Sequence, residues 1–310
     1  MRIVYFGTPD FAVESLDAIM HSSHEVAAVV TVPDRQAGRG QKLVYSPVKQ
    51  YALDHNLPLL QPERLRDESF LDALRSYGAD CFVVVAFRML PEAVWNMPTH
   101  GTFNLHASLL PRYRGAAPIN WAIINGEKQT GVTTFLLNHR IDEGALLLQE
   151  RTPIAADDTA GTMHDRLAAM GRGLVVRTLD GLADGTLTPK PQDGTPCPAP
   201  KIFKEDCRID FSLEGERVVD FVRGLSPYPA ATMTLRSPKG DEVPFKVYEI
   251  RFTESPAAVK NTLFCDGKKV LKLGVANGFV EILSLQMAGK KKNSIEDFLR
   301  GTNLTDWKLA

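Results

Sequence analysis

Hydrophobic and polar positions change their rhythm once along this 310-residue chain, near its middle. From Arg2 to Ala183, short apolar runs alternate with segments of helical period. Arg2–Phe6, Glu25–Val32 and Cys81–Ala86 are nearly continuous apolar runs, as strands buried on both faces should be. Leu57–Gln61, bounded by prolines, predicts a shorter edge strand. Thr102–Leu105, Thr130–Leu137 and Ala145–Glu150 complete the set. Helices are expected from Pro9, from Ser46-Pro47, over Asp67–Tyr77, Leu90–Met97 and Ala116–Asn125, and from Asp157-Asp158-Thr159 to Ala183. Phe70, Leu71 and Leu74 form an apolar stripe on the third of these. Thr8 and Ser46 each stand before a proline, which predicts an N-cap followed by proline at the first helical position. Strand and helix in alternation predict an α/β fold: a Rossmann-like, mostly parallel sheet with helices on both faces.

Thr186 to Cys207 breaks the rhythm. It holds Pro189, Pro191, Pro196, Pro198 and Pro200 and has no apolar period, so it reads as an extended linker. Beyond it, one helix over Val218–Leu225 is joined by short runs at Ala231–Leu235, Val243–Ile250, Val270–Val275 and Phe279–Leu285. Gly, Pro, Asn and Asp separate them, the pattern of a small β-barrel. The expected organisation is a Rossmann-like domain over 1–188, a linker over 189–205 and a barrel domain over 206–310.

A hydrophobic content of 44% and a charged content of 24% describe an ordinary globular protein. No apolar run approaches the roughly 20 residues that span a bilayer. The chain opens directly on a strand, without signal-peptide features, so a cytoplasmic location is expected. Cys81, Cys197, Cys207 and Cys265 fit neither a zinc template nor a compact disulfide framework, so free thiols and no metal are expected. The net charge of −1 announces no nucleic-acid partner. Its distribution does: Arg236 to Lys292 holds eleven Lys/Arg against six acids, a net of +5 that leaves −6 on the remainder. Either the barrel meets an anionic partner, or this is ordinary surface variation.

Gly7-Thr8-Pro9-Asp10-Phe11, between the first strand and helix, has one glycine where a dinucleotide fingerprint needs three. A nucleotide cofactor is therefore not expected. The connection Pro33 to Lys42 carries three cations, Arg35, Arg39 and Lys42, and two glycines. It is longer than the usual ~2–6 residues of such connections. It is either a plain solvated loop or a basic flap that closes on a phosphate backbone.

The most informative stretch is Thr102 to Pro118. Asn104 and His106 are two apart on a strand, so their side chains share a face. Pro111 and Gly115 turn the chain after them. An amide donor and an imidazole at a strand end suit acyl-group chemistry, one stabilising a developing oxyanion and the other carrying a proton. A satisfied polar pair at a strand end is the plain alternative.

Asn-x-His-x-Ser-Leu-Leu-Pro followed by Arg-Gly-Ala-Ala-Pro resembles the folate-dependent formyltransferases, and within them the branch acting on methionine carried by initiator transfer RNA. The resemblance implies a catalytic Asn104, His106 and Asp142, the last in Arg140-Ile141-Asp142-Glu143-Gly144. It implies a folate-contacting loop at Ser108, Leu109, Leu110 and Pro111. It implies contact of Arg35, Arg39 and Lys42 with the acceptor arm, with Gln36 in place of a proline common in that loop. The barrel is then OB-like and RNA-binding. The implied reaction moves the formyl group of 10-formyltetrahydrofolate, a co-substrate, to the α-amino group of methionyl initiator tRNA, in a monomer without metal. Asn104 and His106 would stabilise the oxyanion of the tetrahedral intermediate, and Asp142 would support the charge on His106. Three other readings stand beside it: a formyltransferase for a small amine such as a nucleotide or amino sugar, a hydrolase releasing formate, and a non-catalytic RNA-binding protein.

Overall fold

The computed structural model describes residues 1–37, 42–256 and 258–310. A seven-stranded sheet runs, from one edge, through Leu146–Pro153, Gln129–Leu136, Thr102–His106, Cys81–Val85, Arg2–Gly7, Glu25–Val30 and Leu59–Leu60. The pairings from Thr102–His106 to Leu59–Leu60 are all parallel. Thr102–His106 pairs antiparallel with Gln129–Leu136. The sheet is thus mixed, with helices on both sides in the Rossmann-like manner. Cys81–Val85 is buried at every position, as its unbroken apolar run requires. Val4, Phe6, Phe82 and Val84 pack with Phe70, Leu71 and Leu74 of the helix Glu68–Ser76, which buries the apolar stripe of that helix. Each such side chain contributes roughly 1.5–3 kcal/mol.

Local signals met two different fates. Ser46 caps the helix Pro47–Asp54, accepting from the Lys49 amide at 3.0 Å. Thr8 caps nothing: the helix Asp10–Met20 has Pro9 at its N-cap and no side-chain cap bond. The helix expected over Ala116–Asn125 is shorter, Pro118–Ile124.

The proline-rich stretch is not bare linker. Cys197–Ala199 forms a parallel strand pair with Arg112–Gly115, and Lys190 exchanges backbone hydrogen bonds of 2.7 and 2.9 Å with Leu146. Periodicity is blind to this, because the partners lie far away in sequence and the strand is three residues long. The basic connection also carries structure: Arg35–Ala37 pairs antiparallel with Lys42–Val44.

The chain divides into two compact units, and no single cut separates them. One comprises 1–118, 129–152 and 164–199; the other comprises 119–128, 153–163 and 200–310. The second contains an antiparallel sheet in the order Leu263–Cys265, Leu271–Val275, Gly278–Met287, Glu242–Glu254, Ala231–Arg236, Lys308–Leu309. It curls into a nearly closed, OB-like barrel. Ile124 joins its core beside Val218, Val222 and Leu225. Arg223, buried, ties the 153–163 segment down: it donates to the carbonyls of Ala155 and Asp158, each at 3.0 Å, and to Asp220 Oδ1 at 2.8 Å.

Candidate active site

Asn104 and His106 leave the same face of the Thr102–His106 strand, opposite Phe135 and Thr133 in the antiparallel register. His106 is buried. Its Nε2 lies 2.8 Å from the Tyr113 carbonyl. A carbonyl only accepts, so Nε2 carries the hydrogen and donates. The other nitrogen, Nδ1, faces Asp142 Oδ2 at 3.9 Å. That is beyond hydrogen-bond length but within ion-pair range.

Asp142 is held by backbone. Its φ is +54°, a left-handed conformation that side chains seldom adopt. Its Oδ2 accepts from the Gly115 amide at 2.9 Å. Gly115 must be glycine: its φ is +127°, and a Cβ there would sit 2.5 Å from the Ala199 carbonyl. Gly144 is equally constrained, since a Cβ would overlap the Leu136 carbonyl. The spacing of Asp142 and Gly144 in the motif thus follows from a turn that packs tightly against a strand.

Asn104 differs from its neighbours in one respect. Its Oδ1 is one of four buried side-chain polar atoms, among the described residues, with no hydrogen-bond partner. A buried acceptor without a partner costs on the order of 1–3 kcal/mol, and folded proteins seldom tolerate it without use.

Ser108 to Pro111 form a loop braced from below. Ser108 Oγ donates to the Arg112 carbonyl at 2.7 Å, so this hydroxyl is committed to the backbone. Thr133 Oγ1 donates to the Ser108 carbonyl at 2.6 Å and accepts from the Leu110 amide at 3.3 Å. Gln149 Nε2 donates to the Leu110 carbonyl at 2.8 Å. Leu110 and Pro111 are buried and Leu109 is half-buried; the Leu110–Pro111 bond is cis.

Several of these supports escaped the sequence reading. Thr133, Gln149 and Gln192 are single polar residues without a motif, and Arg114, though it opens the Arg-Gly-Ala-Ala-Pro run, was given no role. Gln192 donates to the carbonyls of Asp142 and Gly144 and accepts from Arg114, although it lies 50 residues from Asp142.

Of the basic connection, Arg35 is exposed on its short strand, Lys42 is placed by its backbone pairing with Ala37, and Arg39 lies outside the described residues. The base of the connection is well fixed. Asp34 accepts from Lys49 Nζ at 2.5 Å and from Gln61 Nε2 at 2.8 Å. The Lys49 bond, then the Gln61 bond, hold the Asp34 carboxyl below its ordinary value. Burial pushes the Cys81 thiol up to about 12, which keeps it protonated and unreactive. Among the described residues no group of three or more His, Cys, Asp or Glu could hold a metal, and no helix is long and apolar enough to cross a membrane.

Residues 1–179 match the family model for formyl transferase, and residues 201–303 match the one for the formyl transferase C-terminal domain. The chain belongs to the formyl transferase family. It is 54% identical to the methionyl-tRNA formyltransferase of Bacteroides thetaiotaomicron, over 99% of this chain and 97% of that protein. It is 47% identical to that of Flavobacterium johnsoniae, over 99% of this chain and 98% of that one. Solved structures share the fold at lower identity. HypX from Aquifex aeolicus, in complex with tetrahydrofolic acid, aligns with a TM-score of 0.65 at 19% identity, over 99% of this chain and 48% of that one. An N-formyltransferase from Helicobacter canadensis, with folinic acid and dTDP-3-aminofucose, aligns at 0.64 and 19%, over 94% of this chain and 99% of that one.

Proposed function

We propose that this formyl transferase moves the formyl group of 10-formyltetrahydrofolate to the α-amino group of methionine on initiator transfer RNA, supplying translation initiation. The observation that carries the reading is the likeness, across nearly the whole chain, to methionyl-tRNA formyltransferases. The convergence of Asn104, His106 and Asp142 supports it.

The chemistry assigns each group a task. The acceptor amine forms a new bond to the formyl carbon. The bond from that carbon to the donor nitrogen breaks, and one proton passes from the attacking nitrogen to the leaving one. Negative charge develops on the formyl oxygen. The Asn104 amide has an N–H for that oxygen, and its orphaned Oδ1 suits an N–H of a bound substrate. The desolvation of this amide is already incurred in the fold, so a substrate that pairs with it meets a prepared partner. His106 offers Nδ1 for the moving proton, since Nε2 is fixed on the Tyr113 carbonyl. Asp142 stabilises the imidazolium that forms, and through water takes part in deprotonating the ammonium. Ser108, Leu109, Leu110 and Pro111 line the folate side. Bonds with Thr133 and Gln149 hold the Leu110 backbone, so the loop keeps one shape for that ligand.

In this reading the unit that carries Asn104, His106 and Asp142 performs the chemistry, and the basic barrel of the other unit binds the RNA. Arg35, Arg39 and Lys42 meet the acceptor arm. A monomer in the cytoplasm is the working form. A small amine such as a nucleotide-linked amino sugar is the second candidate acceptor, but the sugar formyltransferases resemble the chain at only 18–20% identity.

The test incubates the protein with 10-formyltetrahydrofolate and either charged initiator transfer RNA or a nucleotide-linked amino sugar. Formylation of the RNA is expected; formylation of the sugar alone would overturn the proposal. In the same assay, Arg35→Ala should weaken RNA binding and lower the log–log salt slope by roughly one unit. An unchanged slope would remove Arg35 from the RNA contact.

A further inference from the structure

We infer that Gln192 is a positioning residue for the reaction proposed above: its amide clamps the Asp142–Gly144 turn and so sets where the Asp142 carboxylate stands relative to His106. The inference rests on that functional reading.

The geometry is complete on both sides of the amide. Gln192 Nε2 donates to the Asp142 carbonyl at 2.8 Å and to the Gly144 carbonyl at 2.9 Å. Its Oε1 accepts from Arg114 Nε at 3.2 Å and Nη2 at 2.7 Å. Two donors and two lone pairs are the whole capacity of a primary amide, and all are used. Arg114 in turn pairs with Glu143 through Nη1 at 3.1 Å, so the residue between the two gripped carbonyls is held as well.

Gln192 is itself anchored. Two residues before it, Lys190 is locked to Leu146 by a pair of backbone hydrogen bonds. Five residues after it, Cys197–Ala199 is paired to the strand that presents Gly115. The same short segment therefore reaches Asp142 twice. Its ladder partner Gly115 donates to the carboxylate, and Gln192 grips the backbone.

The clamp has something to oppose. Asp142 sits at φ +54°, a left-handed conformation that persists in an L-residue only where surroundings over-determine it. Without the clamp the turn relaxes, and the carboxylate leaves its place 3.9 Å from His106 Nδ1. A displacement of about 1 Å in a catalytic group costs on the order of 100-fold in rate.

The experiment compares the full-length protein with Gln192→Leu and Gln192→Glu, each also in an Asp142→Asn background. Gln192→Leu removes both grips. Gln192→Glu keeps a partner for Arg114 but sets a carboxylate against two carbonyls. Both should lose kcat on the order of 100-fold with KM for either substrate unchanged. Neither should lose more in the Asp142→Asn background, because the group being positioned is already gone. Imidazole ¹⁵N resonances of His106 should move with Gln192→Leu in the direction they move with Asp142→Asn. Retained kcat, a full multiplicative loss in the Asp142→Asn background, or unmoved His106 resonances would each overturn the inference. If both variants fail to fold, Gln192 is a folding determinant and the positioning role is likewise refuted. A parent protein that formylates no acceptor sinks the functional reading instead, and the resonances still report on the clamp.

Discussion

His106 Nδ1 and Asp142 Oδ2 stand 3.9 Å apart, with the opposite ring nitrogen tied to the Tyr113 carbonyl at 2.8 Å. The imidazole is therefore fixed in one tautomer, and its free nitrogen looks at a carboxylate. His106→Ala and Asp142→Ala should each lower turnover by about 10²–10⁴-fold, the usual worth of a positioned proton carrier. Circular dichroism should show both variants folded. Near-parental turnover in a folded variant would remove that residue from the mechanism.

Asn104→Ala separates catalysis from stability. The substitution deletes a buried acceptor that has no partner, so the folded state should lose little stability. Turnover should fall by about 10²–10³-fold, as when one oxyanion donor is removed. Urea titration beside a formylation assay reads both effects. A marked loss of stability would mean that the amide serves the fold.

Gly115→Ala should damage both. The residue needs φ +127°, and a Cβ would press on the Ala199 backbone. The strand pair with Cys197–Ala199 must shift, and the amide that holds Asp142 shifts with it. Gly240→Ala is the control: φ there is +92° with nothing within 4 Å, so it reports backbone strain alone. Thermal unfolding should show a loss of roughly 1–2 kcal/mol for the control and a larger one for Gly115→Ala. Equal losses would mean that the Ala199 contact is yielding.

Asp34→Asn tests the base of the basic connection through pH. The Asp34 carboxyl is lowered by Lys49 first and Gln61 second, so its folded value lies below its unfolded one. The contribution is then complete above the unfolded value of about 3.9 and lost as pH falls through the lower folded value. Parent and variant should differ in urea midpoint at neutral pH and converge in acid below that window. A constant difference across pH would assign the effect to packing.

The sequence alone determined the alternation of buried runs and amphipathic helices, and with it the sheet. Each of those signals is local: an unbroken run such as Cys81–Val85 states its own burial, and a two-residue step places Asn104 and His106 on one face. Asp142 was marked only by the resemblance of Arg140-Ile141-Asp142-Glu143-Gly144 to the family's motif. The tertiary structure decided the rest. It turned a proline-rich stretch into a strand beside Arg112–Gly115, orphaned one atom of Asn104, and delivered Gln192 to the carbonyl of Asp142. It also recruited 119–128 and 153–163 to the unit that holds the barrel. These are contacts between residues far apart in the chain, made by lone polar groups and by backbone. They leave no period and no spacing behind, because only the folded sheet determines which distant segments meet.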